Sequence, residues 1–226
     1  QKREIPLDRI VREKEETLER LVQGYLQLVE EEVKDLVWLV EESKVEKAYN
    51  TAIKRIDAQY DADDIDEFCA LLDGSNKLPY LISGPAGIYI SALVNRAQED
   101  HIVLSPKDYE RSFHFLGYKL PEGKTLVLQG DVGDFTGSGL FGGRLIVEGS
   151  AGNWCGAGMM KGEIRVSNNT GQNTGEWMRG GEIHVDGTIQ SVGTKFYGNT
   201  GYRVLFGGKI YQKGKLLVPR ALVKEE

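Results

Sequence analysis

The chain has 226 residues, enough for a repeat domain and a smaller domain before it, and two domains is the starting expectation. Its 28 Lys and Arg against 34 Asp and Glu leave a net charge of -6 with the two signs interspersed, which excludes the basic footprint of a nucleic-acid binder. Only Cys69 and Cys155 are present, far apart, which suits a reducing compartment rather than a disulfide framework. The first residues, QKREIPLDRIVREKEE, lack the apolar core of a signal peptide, and no apolar run approaches the roughly 18 residues a membrane span needs, so a cytoplasmic location is expected.

In chain order, residues 1–79 read as a helical segment. Leu18, Leu21, Val22, Tyr25, Leu28, Val29, Val33, Leu36, Val37 and Val40 follow the helical apolar period. Ser43 and Glu46 have capping-box spacing, which predicts a second helix carrying Val45, Tyr49, Ile53, Ile56 and Tyr60 on one stripe. A third helix is predicted over 64–72, with Asp64 as N-cap and Gly74 as its stop. Such stripes need a partner surface, and a bundle that also mediates homo-oligomerisation is one expectation, packing within the chain the other. The acids Asp61, Asp63, Asp64, Asp66 and Glu67 fail the calcium-loop pattern and fit helix capping better.

Residues 80–123 read as a small α/β connecting unit. LPYLIS (78–83) and HIVLS (101–105) have the composition of strands, IYISALVNRAQ that of a helix, and Gly84-Pro85-Ala86-Gly87 that of a turn between them. A turn of this kind could offer N–H groups to an anion, but no basic residue follows it and a plain turn is the better reading. His101 and His114 have no partner at metal-ligand or dyad spacing and are expected to be structural.

The remaining segment, 124–218 with 219–226 as a tail, holds most of the glycine: 22 of the 28 lie between Gly130 and Gly214. It repeats every 19 residues. Gly137, Gly156 and Gly175 form one column and Gly143, Gly162 and Gly181 another. Leu126, Leu145, Ile164, Ile183 and Leu128, Val147, Val166, Val185 form two inward ladders, and Leu140, Met159, Met178, Tyr197 a third. Gln129, Glu148, Ser167 and Asp186 face water. Gly130, Gly149, Asn168 and Gly187 are predicted to be left-handed corners. Between the strand ladders the outward position changes from Val127 and Ile146 to Arg165 and His184, which predicts a covered face at the start of the stack and an open one later.

The resulting fold class is α+β, an N-terminal helical segment followed by a right-handed β-helix, a solenoid of stacked coils. After Ile183 the period breaks, because Gly207-Gly208-Lys209-Ile210 repeats Gly180-Gly181-Glu182-Ile183 at 27 residues. The eight inserted residues fall within 195–205. Arg165, His184, Tyr197, Tyr202 and Arg203 are therefore the candidate contact surface, with a closing cap as the plain reading of the insertion.

Gly137, Gly139 and Gly142 match a dinucleotide-binding string but lead into a strand and recur with the repeat. Cys155 occupies the position of Thr136 and Thr174 in adjacent units and reads as a small packing residue. No nucleophile elbow, CxxC or HExxH string occurs, so no catalytic, cofactor-binding or metal residues are assigned.

The run GSGLFGGRLIVEGSAGNWCGAGMMKGEIRV, continued by GEWMRGGEIHVDG, resembles the GXGXG repeat shared by the C-terminal domain of the large subunit of glutamate synthase and by one subunit of formylmethanofuran dehydrogenase. The resemblance covers about residues 124–214. It implies a right-handed β-helix that acts as a non-catalytic scaffold or structural subunit organising catalytic partner subunits, with no cofactor of its own. A second reading is a self-contained enzyme or small-ligand-binding protein with a site beside the inserted loop 195–205.

Overall fold

A computed structural model describes residues 6–32, 42–74, 83–193, 195–196, 203–204 and 207–218. Four helices come first: α1 (Leu7–Glu32), α2 (Glu42–Arg55), α3 (Ala62–Gly74) and α4 (Ser83–Arg96). Strands β1 (His101–Leu104), β2 (Thr125–Leu128), β3 (Phe141–Val147), β4 (Lys161–Val166), β5 (Glu182–Val185), β6 (Lys195–Phe196), β7 (Arg203–Val204), β8 (Lys209–Gln212) and β9 (Lys215–Val218) follow. Seven of the strands form one open sheet in the order β1-β2-β3-β4-β5-β8-β9, parallel except for the hairpin partner β9. Strands β6 and β7 form a separate antiparallel ribbon.

This arrangement corrects the expected β-helix. A mostly parallel, unclosed sheet beside four helices is an α/β-like fold, and each 19-residue unit adds one strand to a single sheet. The rest of each unit returns through turns rather than through further sheet faces. The reason is backbone conformation: Phe135, Gly137 and Gly139 have φ of 58, 71 and 62°, and Trp154, Gly156 and Gly158 repeat this at 55, 69 and 66°. Alternate residues in the left-handed region cannot make an extended strand.

The strand register is as the ladders predict. Leu126 pairs with Leu145, Leu145 with Ile164, Ile164 with Ile183, and Ile183 with Ile210 across the 27-residue step. All five are fully buried, as are Leu140, Met159 and Met178 of the third ladder. Tyr197 of that ladder lies outside the described residues. The sheet also reaches one strand further upstream than the repeat, since β1 pairs in register with β2 and adds Ile102 and Leu104 to the inward rows. The expected strand 78–83 lies outside the described residues up to position 82, and Ser83 begins α4.

Two glycine expectations change. Of the predicted corners, only Gly130 has a positive φ; at Gly149 and Gly187 an added Cβ would stand 2.3 Å from the carbonyl oxygen of Gly130 and of Asn168, so these glycines permit close stacking instead. In the column of Gly143, Gly162 and Gly181, the left-handed residue of the first unit is Gly142, because the register slips between Phe141 and Arg144.

The helices pack around Tyr89 of α4, whose ring lies 5.8 Å from that of Tyr25 and 5.6 Å from that of Phe68. Every residue from Gly84 to Val94 is buried, and the Gly84–Gly87 stretch is the first turn of the helix rather than a loop before it. An added Cβ at Gly87 would meet the His114 backbone, and His114 N–H donates to the Ser83 carbonyl, so the His114 segment packs directly on the first turn of the helix. Helix α1 begins at Leu7, well before the predicted stripe. At α3 the cap is Asp61, not Asp64: the Asp64 N–H donates to the Asp61 carboxylate at 2.9 Å and the Asp61 N–H to the Asp64 carboxylate at 3.1 Å. Asp66 accepts from Ser105 N–H, Asp73 accepts from the N–H groups of Glu110 and Arg111, and Glu67 pairs with Lys14. The acidic cluster therefore caps α3 and ties it to the chain after β1. One continuous core runs from Leu21 in α1 to Val218 in β9.

Candidate interaction face

Side chains alternate along a strand, so the rows between the buried ladders point away from the core. One outward row is Val103, Val127, Ile146, Arg165, His184 and Tyr211, adjacent in register from β1 to β8. Val127 is only 8% exposed, Ile146 is half-buried and Arg165 is exposed, which follows the predicted change from covered to open. The cover on Val127 stops short of the sheet edge, because Val103 is exposed. At the other end His184 is half-buried, its ring stacked on Tyr211 at 4.4 Å with an interplanar angle of 3°.

The neighbouring row is Thr125, Arg144, Glu163, Glu182 and Lys209. Glu163 accepts from Arg144 at 3.2 Å and from Arg165; Glu182 lies 3.1 Å from His184 Nε2 and 3.5 Å from Lys209. Across four strands the row thus reads Arg, Glu, Glu, Lys, and each of the two adjacent glutamates is paired with basic side chains beside it. Each such exposed pair contributes at most about 1 kcal/mol, so the row holds side chains in place more than it holds the fold together. The hydrogen bond from His184, with Lys209 nearby, lowers the Glu182 carboxyl below its ordinary value of 4.5. A depressed carboxylate contributes stability above its unfolded pKa and loses it as pH falls through the folded one. Glu182→Gln is therefore expected to cost under about 1 kcal/mol at neutral pH and nothing in acid below the carboxylate range, as read by urea unfolding at the two conditions.

Apolar groups border these charges where β3 and β4 begin. Phe141 is 52% exposed and Met160 38%, in adjacent units, and Lys161 lies over the Phe141 ring at 5.1 Å while pairing with Glu122. Trp177, 41% exposed, occupies the column of Gly139 and Gly158. Trp177 is absent from the expected contact surface, although a tryptophan in a glycine column was the available signal.

Of the predicted contact residues, Arg165 and His184 are thus cross-strand neighbours on one face. Arg203 lies in β7, paired antiparallel with Phe196 of β6; Tyr197 and Tyr202 lie outside the described residues. His114 serves as a rung: its Nδ1 accepts from Asp134 N–H at 2.8 Å, the Asp134 carboxylate accepts from Asn153 N–H, and the Asn153 side chain accepts from Gln172 N–H. Beside this ladder Phe115, Phe135 and Trp154 stack at 4.8 and 5.0 Å. The repeat therefore has a further, irregular unit upstream, in which Phe115, Gly117 and Lys119 take φ of 61, 76 and 52°. FLGYKL against FTGSGL was its signal in the sequence.

Cys155 is fully buried and desolvation pushes its thiol up to about 12, which leaves no thiolate for nucleophilic chemistry. Among the described residues no group of three His, Cys, Asp or Glu side chains is placed to hold a metal ion, and no helix is long and apolar enough to cross a membrane. No family model, curated protein or solved structure matches the chain.

Proposed function

We propose that the protein is a non-catalytic scaffold or structural subunit that holds catalytic partner subunits against its outward sheet face. The observation that carries this reading is the face itself: Arg165, His184 and Tyr211 lie side by side on consecutive strands, braced by the charge row and bordered by exposed Phe141 and Met160. Aromatic and arginine side chains on a rigid support are the groups that dominate protein interfaces. In-register backbone pairing fixes their spacing, so little conformational entropy is lost when a partner docks. The resemblance of the glycine repeat to scaffold domains of glutamate synthase and formylmethanofuran dehydrogenase supports the same class of role, with the redox or transfer chemistry residing in the partners.

The test is affinity purification of the tagged chain from its native source, followed by cross-linking mass spectrometry. Cross-links from companion catalytic chains are expected at Lys161 and Lys209, which flank the face, and Arg165→Glu with Tyr211→Ala should weaken the complex at least about tenfold, the scale of a single interface hot spot. Companion chains that cross-link only to other surfaces, or a complex indifferent to both substitutions, would reject the proposal.

A further inference from the structure

On the outward sheet face the acceptors are engaged and the donors are not. Three cations, Arg144, Arg165 and Lys209, share two carboxylates, Glu163 and Glu182, and Glu182 serves His184 as well. Both arginines reach Glu163 through Nε, and among the described residues their outer nitrogens make no hydrogen bond. Nor does the Tyr211 hydroxyl. The surplus of positive charge grows toward the β8–β9 edge. From Gly187 to Lys224 the chain holds seven Lys and Arg and no Asp or Glu, although the whole chain is net negative. Two of these, Lys213 and Lys215, are exposed beside Tyr211 in the β8–β9 hairpin and have no ion pair among the described residues.

We infer, resting on the docking face proposed above, that the partner meets this face with an acidic segment of protein. A guanidinium bonded through Nε alone still offers its outer N–H groups, and a side-chain carboxylate is the acceptor that matches their geometry. Arg144, Arg165, Tyr211 and the hairpin lysines stand on β3, β4, β8 and β9, so carboxylates spread along one segment can engage them in turn. A nucleic acid fits less well. Glu163 and Glu182 lie within the face, and exposed Glu148 and Asp186 follow its strands, in the path of a continuous phosphate backbone. Discrete carboxylates on a protein can be spaced between these acids. Exposed Phe141 and Met160 at the border give the same segment an apolar contact.

The experiment is carbodiimide cross-linking of the complex isolated from its native source, which joins a lysine amine to a carboxylate where the two are in contact. The expected result is amide links from Lys209, Lys213 or Lys215 to Asp or Glu of a companion chain. Arg144→Glu should weaken the complex at least about tenfold, and Arg144→Gln, which does not oppose Glu163, should act in the same direction. Both variants should keep the parent melting temperature, because Arg144 is exposed. Glu148→Gln, which removes an exposed acid from the rim, should tighten the complex, and added salt should weaken it. A partner of basic character reverses the signs at Arg144 and Glu148, and reversed or absent effects overturn the inference. Carbodiimide links that join only copies of this chain also overturn it, as does a companion released by nuclease. Amine-reactive cross-links to the face with no carbodiimide link to a companion remove the acidic segment and leave the docking face standing. A complex held at another surface removes both.

Discussion

Gly156→Val is expected to destabilise the protein by about 2 kcal/mol or more. Two independent effects act at this position. The backbone φ of +69° lies in the left-handed region, which a β-branched residue resists most. An added Cβ would also stand 2.5 Å from Ile183 Cδ1 and 3.2 Å from Ile164 Cδ1, both in the fully buried ladder. Both contacts are with terminal methyl groups, which must shift within a fully packed row, so this packing contribution adds to the backbone strain. Gly158, two residues on, separates the two effects: its φ is +66° but nothing lies within 4 Å of an added Cβ. Gly158→Val should therefore cost only the backbone strain and less than Gly156→Val. For a chain of this length the Gly156 change corresponds to a fall in melting temperature of about 4 to 8 °C, measurable by calorimetry. Equal losses at the two positions would show that packing against Ile183 plays no part.

Ile164→Ala should cost about 2 to 5 kcal/mol, the range for truncating a fully enclosed aliphatic side chain. Ile164 is 0% exposed and pairs with Leu145 on one side and Ile183 on the other, so the cavity would open in the middle of a ladder with no room to collapse. Arg165, the next residue, points the opposite way, and Arg165→Ala should fall within about 0.5 kcal/mol of the parent. Urea unfolding of the two variants reads the alternation of β4 directly. A comparable loss at both would mean that the outward face is covered within the chain, which would also remove it as a docking surface.

The pairing register was legible because two periods coincide in the same residues. Alternation within a strand and the 19-residue spacing between strands both mark Leu126, Leu145, Ile164 and Ile183, and Ile210 stays in register despite the insertion. Apolar ladders specify which strands pair, but they say nothing of how the chain returns from one to the next. That return rests on left-handed residues such as Phe135 and Trp154, bulky side chains that carry no turn signal, and the inference of a closed coil failed there. The upstream unit at 115–120 was hidden because its spacing is 20 residues and Lys119 stands where Gly139 and Gly158 do later. The strand expected at 101–105 is β1, but its place in the sheet was hidden for a related reason, since it joins β2 at a spacing of 24.

The contact face was half legible. The polar change to Arg165 and His184 appeared as a break in an apolar column, and the two side chains do lie together. Tyr211 and Trp177 were missed, Tyr211 because it enters the row only after the insertion restores the register. At the helices, the start of α1 is masked in the sequence by charge, because Leu7, Ile10 and Val11 extend the apolar stripe of Leu18 and Leu21 among many acidic and basic residues.

The scaffold role is tested most directly by native mass spectrometry of the complex isolated from its native source, comparing the parent chain with Arg165→Glu/Tyr211→Ala. The predicted result is an assembly containing this chain and catalytic companion subunits, lost in the variant while the variant retains its melting temperature. A chain isolated with no companion, or an assembly of unchanged mass in the variant, would contradict it.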